Sequence, residues 1–231
     1  MAEELPSYQS ELIAINHLAE DYYELKIKVP AGFSWQAGQY MRLGLPTKTV
    51  TDKKQVRALS MAAPESDGVI LLGTRTRQEM SSFKANLITL VPGEEVTVLG
   101  PLGDFTLPKL DHPLVMFASG VGITPIRALI EQALQDKADQ EIDLVFVAND
   151  YHLYQADFET WAKQHPSLHL HLVNHREEAQ AELLKLAQKL GNEADYYVSG
   201  AMKVVDATEA FLTAEGEIAA EHIKRDVLYG Y

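Results

Sequence analysis

Between Leu114 and Pro125 the chain reads LVMFASGVGITP: a short apolar run, two glycines one residue apart, then Thr-Pro opening a helical pattern. A buried strand is expected to end at Ala118, followed by a tight turn and by Thr124 capping a helix whose first residue is Pro125. Gly120 and Gly122 let backbone approach a ligand closely, and unpaired N–H groups at a helix start favour an anion. A nucleotide pyrophosphate suits such a turn. The third glycine of G-x-G-x-x-G is missing, so a plain strand–helix junction is the competing reading. Four histidines, His165, His169, His171 and His175, crowd a second stretch. His169 and His171 alternate along one strand and share a face, which a solvated surface explains better than a metal centre. No metal site is expected there, and Glu177-Glu178 reads as the acidic first turn of a helix.

Two frameworks are needed to position these groups. Up to about Phe105 the pattern is strand-like, with segments Glu11–His17, Tyr23–Val29, Tyr40–Leu45, Val56–Met61, Val69–Thr76 and Glu95–Leu99 separated by Pro and Gly. Such a series predicts a small antiparallel β-barrel. One helix, Ser81–Leu90, interrupts it, with Ser81 or Ser82 as N-cap and Pro92-Gly93 as its stop. From Leu114 onward strands and helices alternate: Leu114–Ala118, Pro125–Gln135, Ile142–Ala148, Gln155–Gln164, Leu168–Val173, Glu177–Leu190, Tyr196–Ser199 and Met202–Ala214. That rhythm predicts a parallel sheet with helices on both faces. The expected domains are residues 1–108 and 109–231, with a proline-flanked link at Pro108–Pro113.

Composition narrows the chemistry. The chain has 231 residues, 46% of them apolar, and no cysteine. Disulfides, thiolate-bound iron–sulfur clusters, Cys-zinc sites and a Cys nucleophile are excluded. A net charge of −13 argues against an electrostatic grip on nucleic acid or an anionic membrane. Neither a membrane span nor a signal peptide is expected, which makes a cytoplasmic setting the default.

Five short motifs occur in order: Ala37-Gly38-Gln39-Tyr40, Arg57-Ala58-Leu59-Ser60, Gly100-Pro101-Leu102-Gly103-Asp104-Phe105, Gly120-Val121-Gly122-Ile123-Thr124-Pro125, and a terminal Tyr229-Gly230-Tyr231. Together they resemble the ferredoxin–NADP reductase superfamily over essentially the whole chain. The resemblance implies a FAD-binding barrel followed by an NAD(P)-binding α/β domain. It places the FAD contacts of the R-x-Y-S motif on Arg57, Ala58, Leu59 and Ser60. A guanidinium holds phosphate bidentately, and Leu59 in the tyrosine position keeps an apolar surface without the phenol. The second phosphate contact falls on Ser81 and Ser82, which could equally be a simple helix cap. Gly120, Gly122, Thr124 and Pro125 correspond to the nicotinamide-nucleotide site. Ser199-Gly200 corresponds to the corner near the flavin, with Ser199 a catalytic candidate. Tyr231 is the aromatic expected to stack on flavin and yield to nicotinamide.

The implied activity is hydride transfer from NADH or NADPH to FAD, with electrons passed on to an acceptor that the sequence does not name. Two alternatives stand beside it: an electron-transfer subunit working within a complex, and a flavin-free nucleotide-binding regulator. Asp150, after strand Ile142–Ala148, stands where NADPH-using relatives carry Ser and Arg. A carboxylate there accepts ribose hydroxyls and repels a 2′-phosphate, which favours NADH. Helix capping by Asp150 and rescue of NADPH binding by Arg176 are the competing readings.

Overall fold

Segments of alternating polarity, rich in Val, Ile, Leu and Tyr, build the first half of the chain. The computed structural model of the protein describes residues 5–107 and 110–228. Strands β1 (Ser7–Ala19), β2 (Tyr22–Lys28), β3 (Tyr40–Gly44), β4 (Val56–Ser60), β5 (Val69–Arg75) and β6 (Glu95–Leu102) form one antiparallel sheet in the order β4-β3-β6-β1-β2-β5. Its two ends meet. Met61 bridges Leu72, and the Ala62 amide donates to the Leu71 carbonyl at 2.7 Å, so the sheet curls into a barrel. Leu25, Ile27, Met41, Leu43, Ile70 and Val98 fill the interior.

Helix α1 (Ser82–Leu87) packs Phe83 and Leu87 into the same core. Ser81 is its N-cap, with the hydroxyl accepting the Lys84 amide at 3.3 Å. The helix ends at Leu87 rather than Leu90, because Thr89 and Leu90 bond back three residues and tighten the last turn.

In the second half, β7 (Leu114–Ser119), α2 (Ile123–Asp136), β8 (Ile142–Val147), α3 (Gln155–Gln164), β9 (Leu168–Val173), α4 (Arg176–Leu190), β10 (Asp195–Ala201), α5 (Met202–Ala214) and β11 (Ile223–Leu228) follow one another. All strands pair in parallel, in the order β11-β10-β7-β8-β9. Val115, Phe117, Val145, Tyr196 and Val198 pack with α4 and α5. Their neighbours Leu114, Met116, Leu144, Phe146 and Tyr197 are buried too. Because strand side chains alternate, both faces of the sheet are covered.

Strand β11 escapes the sequence-based expectation. IKRDVL carries three charged residues and sits at the sheet edge, where only one neighbour strand constrains its pattern. The two halves separate as units Met1–Thr106 and Leu107–Tyr231. Among the described residues no helix is long and apolar enough to cross a membrane.

Candidate functional site

In the second unit the chain order reverses between β7 and β10, with β8 and β9 on one side and β11 on the other. Open parallel sheets bind ligands at the carboxyl ends of strands beside such a switch point. The glycine turn lies there. Gly120–Gly122 form a single 3-10 turn, and α2 starts at Ile123 with Gly122 as an N-cap that makes no side-chain bond.

This corrects the expected cap at Thr124. Thr124 is buried inside the first turn of α2, and its hydroxyl donates to the Val121 carbonyl at 2.9 Å. The helix starts early because the 3-10 turn already engages the Ile123 amide with the Gly120 and Val121 carbonyls. Pro125 is therefore the third helical residue rather than the first, still within the turn whose amides lack intrahelical partners.

The two glycines serve different ends. Gly120 has φ +55°, and a Cβ there would meet nothing within 4 Å, so it supplies a left-handed turn beside open space. A Cβ on Gly122 would lie 2.4 Å from the Ser199 carbonyl oxygen and 2.8 Å from Gly200 Cα. Gly122 thus seats the turn against β10, and the close approach is to the chain's own backbone rather than to a ligand.

Ser199 is fully buried, and its hydroxyl donates to the Asp226 carboxylate at 3.1 Å. The two residues are register partners across β10 and β11. Burial pushes the Asp226 carboxyl up to about 6, partly opposed by that hydroxyl. A carboxyl titrating near neutrality can hold or release a proton beside the switch point. Sequence reasoning missed Asp226 because it missed β11.

Asp150 is exposed just beyond β8, and its Oδ1 accepts the Tyr151 amide at 3.1 Å. It does not cap α3, whose N-cap is Tyr154. Arg176 is the first residue of α4, beyond β9, and is exposed. Of the histidines, His171 faces the Asp143 and Glu182 carboxylates, His169 faces Glu141, and His175 caps α4 in a capping box with Glu178.

In the first unit, a second cluster converges on one carboxylate. Asp52 accepts Arg57 Nη2 at 2.7 Å, the Phe83 amide at 2.8 Å and the Ser82 amide at 3.1 Å, with the Ser81 hydroxyl also bonded to it. The Phe83 amide above all, with the Ser82 amide, Arg57 and Ser81, holds the Asp52 carboxyl below its usual range. Arg57 also donates to the Lys54 and Val56 carbonyls and lies over the Phe83 ring at 5.2 Å.

Lys84 is pushed down to about 8, by burial first and then by the positive charges of Arg77 and Arg57. Arg57, Ser81 and the α1 amides, about 25 residues apart in sequence, therefore meet around one anion in a locally positive patch. Along the rest of the R-x-Y-S stretch, Ala58 is exposed while Leu59 and Ser60 are buried. Leu59 packs with the barrel core. The inward-facing side of β4 takes it. Ser82 spends its hydroxyl locally, accepting the Thr51 amide at 3.0 Å.

Residues 116–209 match the oxidoreductase NAD-binding domain family. The toluate 1,2-dioxygenase electron transfer component of Pseudomonas putida is 27% identical over 222 residues, covering 90% of this chain and 64% of that protein. The ferredoxin–NADP+ reductase of Neisseria gonorrhoeae, solved with bound FAD and NADP, superimposes with a TM-score of 0.79 at 16% identity, covering 96% of this chain and 98% of that one. Its counterpart from Plasmodium falciparum gives 0.80 at 14% identity, with 96% of each chain covered.

The chain has the two-domain fold of the ferredoxin–NADP+ reductases. It spans nearly the whole of the two solved reductases but only 64% of the Pseudomonas putida component. Within this reductase-like fold, the structure brings Gly120, Gly122, Thr124, Ser199 and Gly200 together in one unit, and Arg57, Ser81 and Ser82 together in the other. Tyr231 lies outside the described residues. Asp52 carries no sequence signal, since its partners lie five and about thirty positions away.

Proposed function

We propose that the protein is a FAD-dependent NAD(P)H oxidoreductase, favouring NADH, which takes a hydride onto flavin and passes electrons to a further acceptor. The observation that carries this reading is the convergence of Arg57, the Ser81 hydroxyl and the Ser82 and Phe83 amides on a single anion. Groups that hold a carboxylate this way suit the oxygens of a FAD phosphate, for which Asp52 acts as a stand-in. The barrel, residues 1–108, is on this reading the FAD domain, and residues 109–231 hold the nicotinamide nucleotide.

When bound, FAD supplies the capacity to accept a hydride and release electrons singly or in pairs. The protein's part is to bind, orient and manage protons. Arg57, Ser81 and Ser82 anchor phosphate, with Ala58, Leu59 and Ser60 forming the strand beside it. The turn Gly120–Pro125 and Gly200 give the nucleotide a backbone surface at the switch point. Ser199 holds its hydroxyl toward Asp226, and that pair can deliver or take up one proton at the Asp226 carboxyl. Tyr231 supplies the aromatic that exchanges places with nicotinamide. Asp150 accepts the ribose hydroxyls of NADH, and a 2′-phosphate is repelled there. We place the activity in the cytoplasm, with no nucleic-acid or membrane partner, in keeping with the acidic, cysteine-free composition.

Purified protein reconstituted with FAD should be yellow and should bleach on anaerobic addition of NADH. A protein that takes up no FAD would contradict the proposal. A second reading, an electron-transfer subunit, is favoured by the matched electron transfer component. Flavin that bleaches with NADH yet turns over slowly with small-molecule acceptors, alongside a co-purifying protein partner, would select it.

A further inference from the structure

At the amino-terminal edge of the parallel sheet, opposite the glycine turn, three ligating side chains meet. His112 lies just before β7, Asp195 opens β10, and His222 immediately precedes β11. These strands are neighbours in the order β11-β10-β7, so the start of each delivers one residue to the same place. The register fixes them further: Tyr196 pairs with Ile223, Asp195 pairs with Leu114, and the Asp195 amide donates to the Pro113 carbonyl at 3.0 Å.

Two further bonds hold the backbone of the two histidines. The buried Gln140 donates to the His112 carbonyl at 2.7 Å, and the His222 amide donates to the Ala219 carbonyl at 3.0 Å. The frame is therefore set before any ligand arrives.

One carboxylate oxygen of Asp195 faces each imidazole. His222 Nδ1 is 3.3 Å from Oδ1, and His112 Nδ1 is 3.5 Å from Oδ2. The His222 contact is a long hydrogen bond, and the His112 contact lies beyond the usual N–H···O range of about 2.7–3.2 Å. A single ion with metal–ligand bonds of about 2.0–2.1 Å takes one oxygen of Asp195 and a nitrogen of each ring, so one imidazole must turn toward the oxygen that now faces the other.

One ligating atom from each of the three residues lies within 4.8 Å of the others. His112 is exposed, so its ring can close the remaining distance by rotation, and the surface position leaves room for water as a further ligand. Asp111 and Glu221, adjacent in sequence to the two histidines, add negative charge. This cluster is distinct from the His165–His175 stretch, whose members engage other partners.

We propose that His112, Asp195 and His222 form a binding site for one divalent first-row transition cation, zinc being the fitting case for two imidazoles and a carboxylate. The ion ties together the starts of β7, β10 and β11. It therefore braces the edge strand that carries Asp226 without entering the nucleotide turn.

The test uses the untagged full chain freed of metal with chelator. Titration with zinc by calorimetry is expected to show one site per chain, and cobalt in its place should give visible ligand-field absorption. Saturating zinc should raise Tm by about 5 °C. His112→Ala and His222→Ala should each weaken zinc binding at least tenfold and abolish the cobalt spectrum, with circular dichroism unchanged. His169→Ala, in the separate His–Glu pair, should leave both unaltered. Absence of saturable binding, or binding that survives the His112→Ala/His222→Ala double variant, would overturn the proposal.

Discussion

Around Gly120 the turn is bare backbone beside open space, whereas around α1 a set of side chains and amides is already closed on Asp52. The first region is shaped by what is absent, two Cβ atoms. The second is shaped by charge: Arg57 opposes Asp52, and Lys84 is pushed down to about 8 by burial and by its cationic neighbours. Substitutions should therefore act on packing in one unit and on electrostatics in the other. Backbone recognition tolerates little steric change. Charge recognition can be emptied, filled or inverted with the fold intact.

The largest effect is expected at Gly122, where any Cβ overlaps the Ser199 carbonyl. Gly122→Val should cost about 3 kcal/mol or more of stability, since overpacking against backbone cannot relax by side-chain rotation. Thermal or urea unfolding measures it, and an unchanged midpoint would remove the steric half of the contrast.

Asp226 is next. Its carboxyl is raised to about 6 in the folded protein against 3.8 for the ordinary group, so the contribution is fully present below about pH 4 and is lost as pH rises toward 6. Asp226→Asn should accordingly be more stable than the parent above pH 6, by about 1–2 kcal/mol after allowance for solvent screening, and level with it near pH 4. Urea midpoints at the two pH values check the sign. Gly120→Ala should cost less, about 1 kcal/mol, because only the left-handed backbone opposes it. If Gly120→Ala proves as damaging as Gly122→Val, the two glycines do not differ in role.

These same residues mark how far the sequence could be read. The alternation of Tyr23–Val29 and the apolar run at Leu114 carry their own periodicity, so the antiparallel and parallel sheets were legible from local pattern. The start of α2 was not: a 3-10 turn leaves no composition cue, and Thr124 looks like a cap wherever it stands before proline. Strand β11 was hidden by the charges an edge position permits, and Asp226 was hidden with it. Asp52 is legible only in three dimensions, because its partners are gathered by barrel closure from separate elements.

The smallest expected change concerns cofactor choice. Asp150→Arg should shift the kcat/KM ratio a few-fold toward NADPH, worth about 1 kcal/mol for an exposed charge, with fold stability unaffected. Steady-state kinetics with both nucleotides would show it, and an unchanged ratio would move the specificity determinant elsewhere.

Titration of FAD into parent, Arg57→Ala and Asp52→Asn proteins by flavin fluorescence tests most directly whether a flavin phosphate binds at the point now held by Asp52. The two variants should move in opposite directions. Loss of a charge-assisted phosphate contact, about 1.5–3 kcal/mol, should weaken FAD at least tenfold in Arg57→Ala. Removal of the competing anion should tighten it several-fold in Asp52→Asn. FAD affinity unmoved by either substitution, or lowered equally by both, would contradict the account.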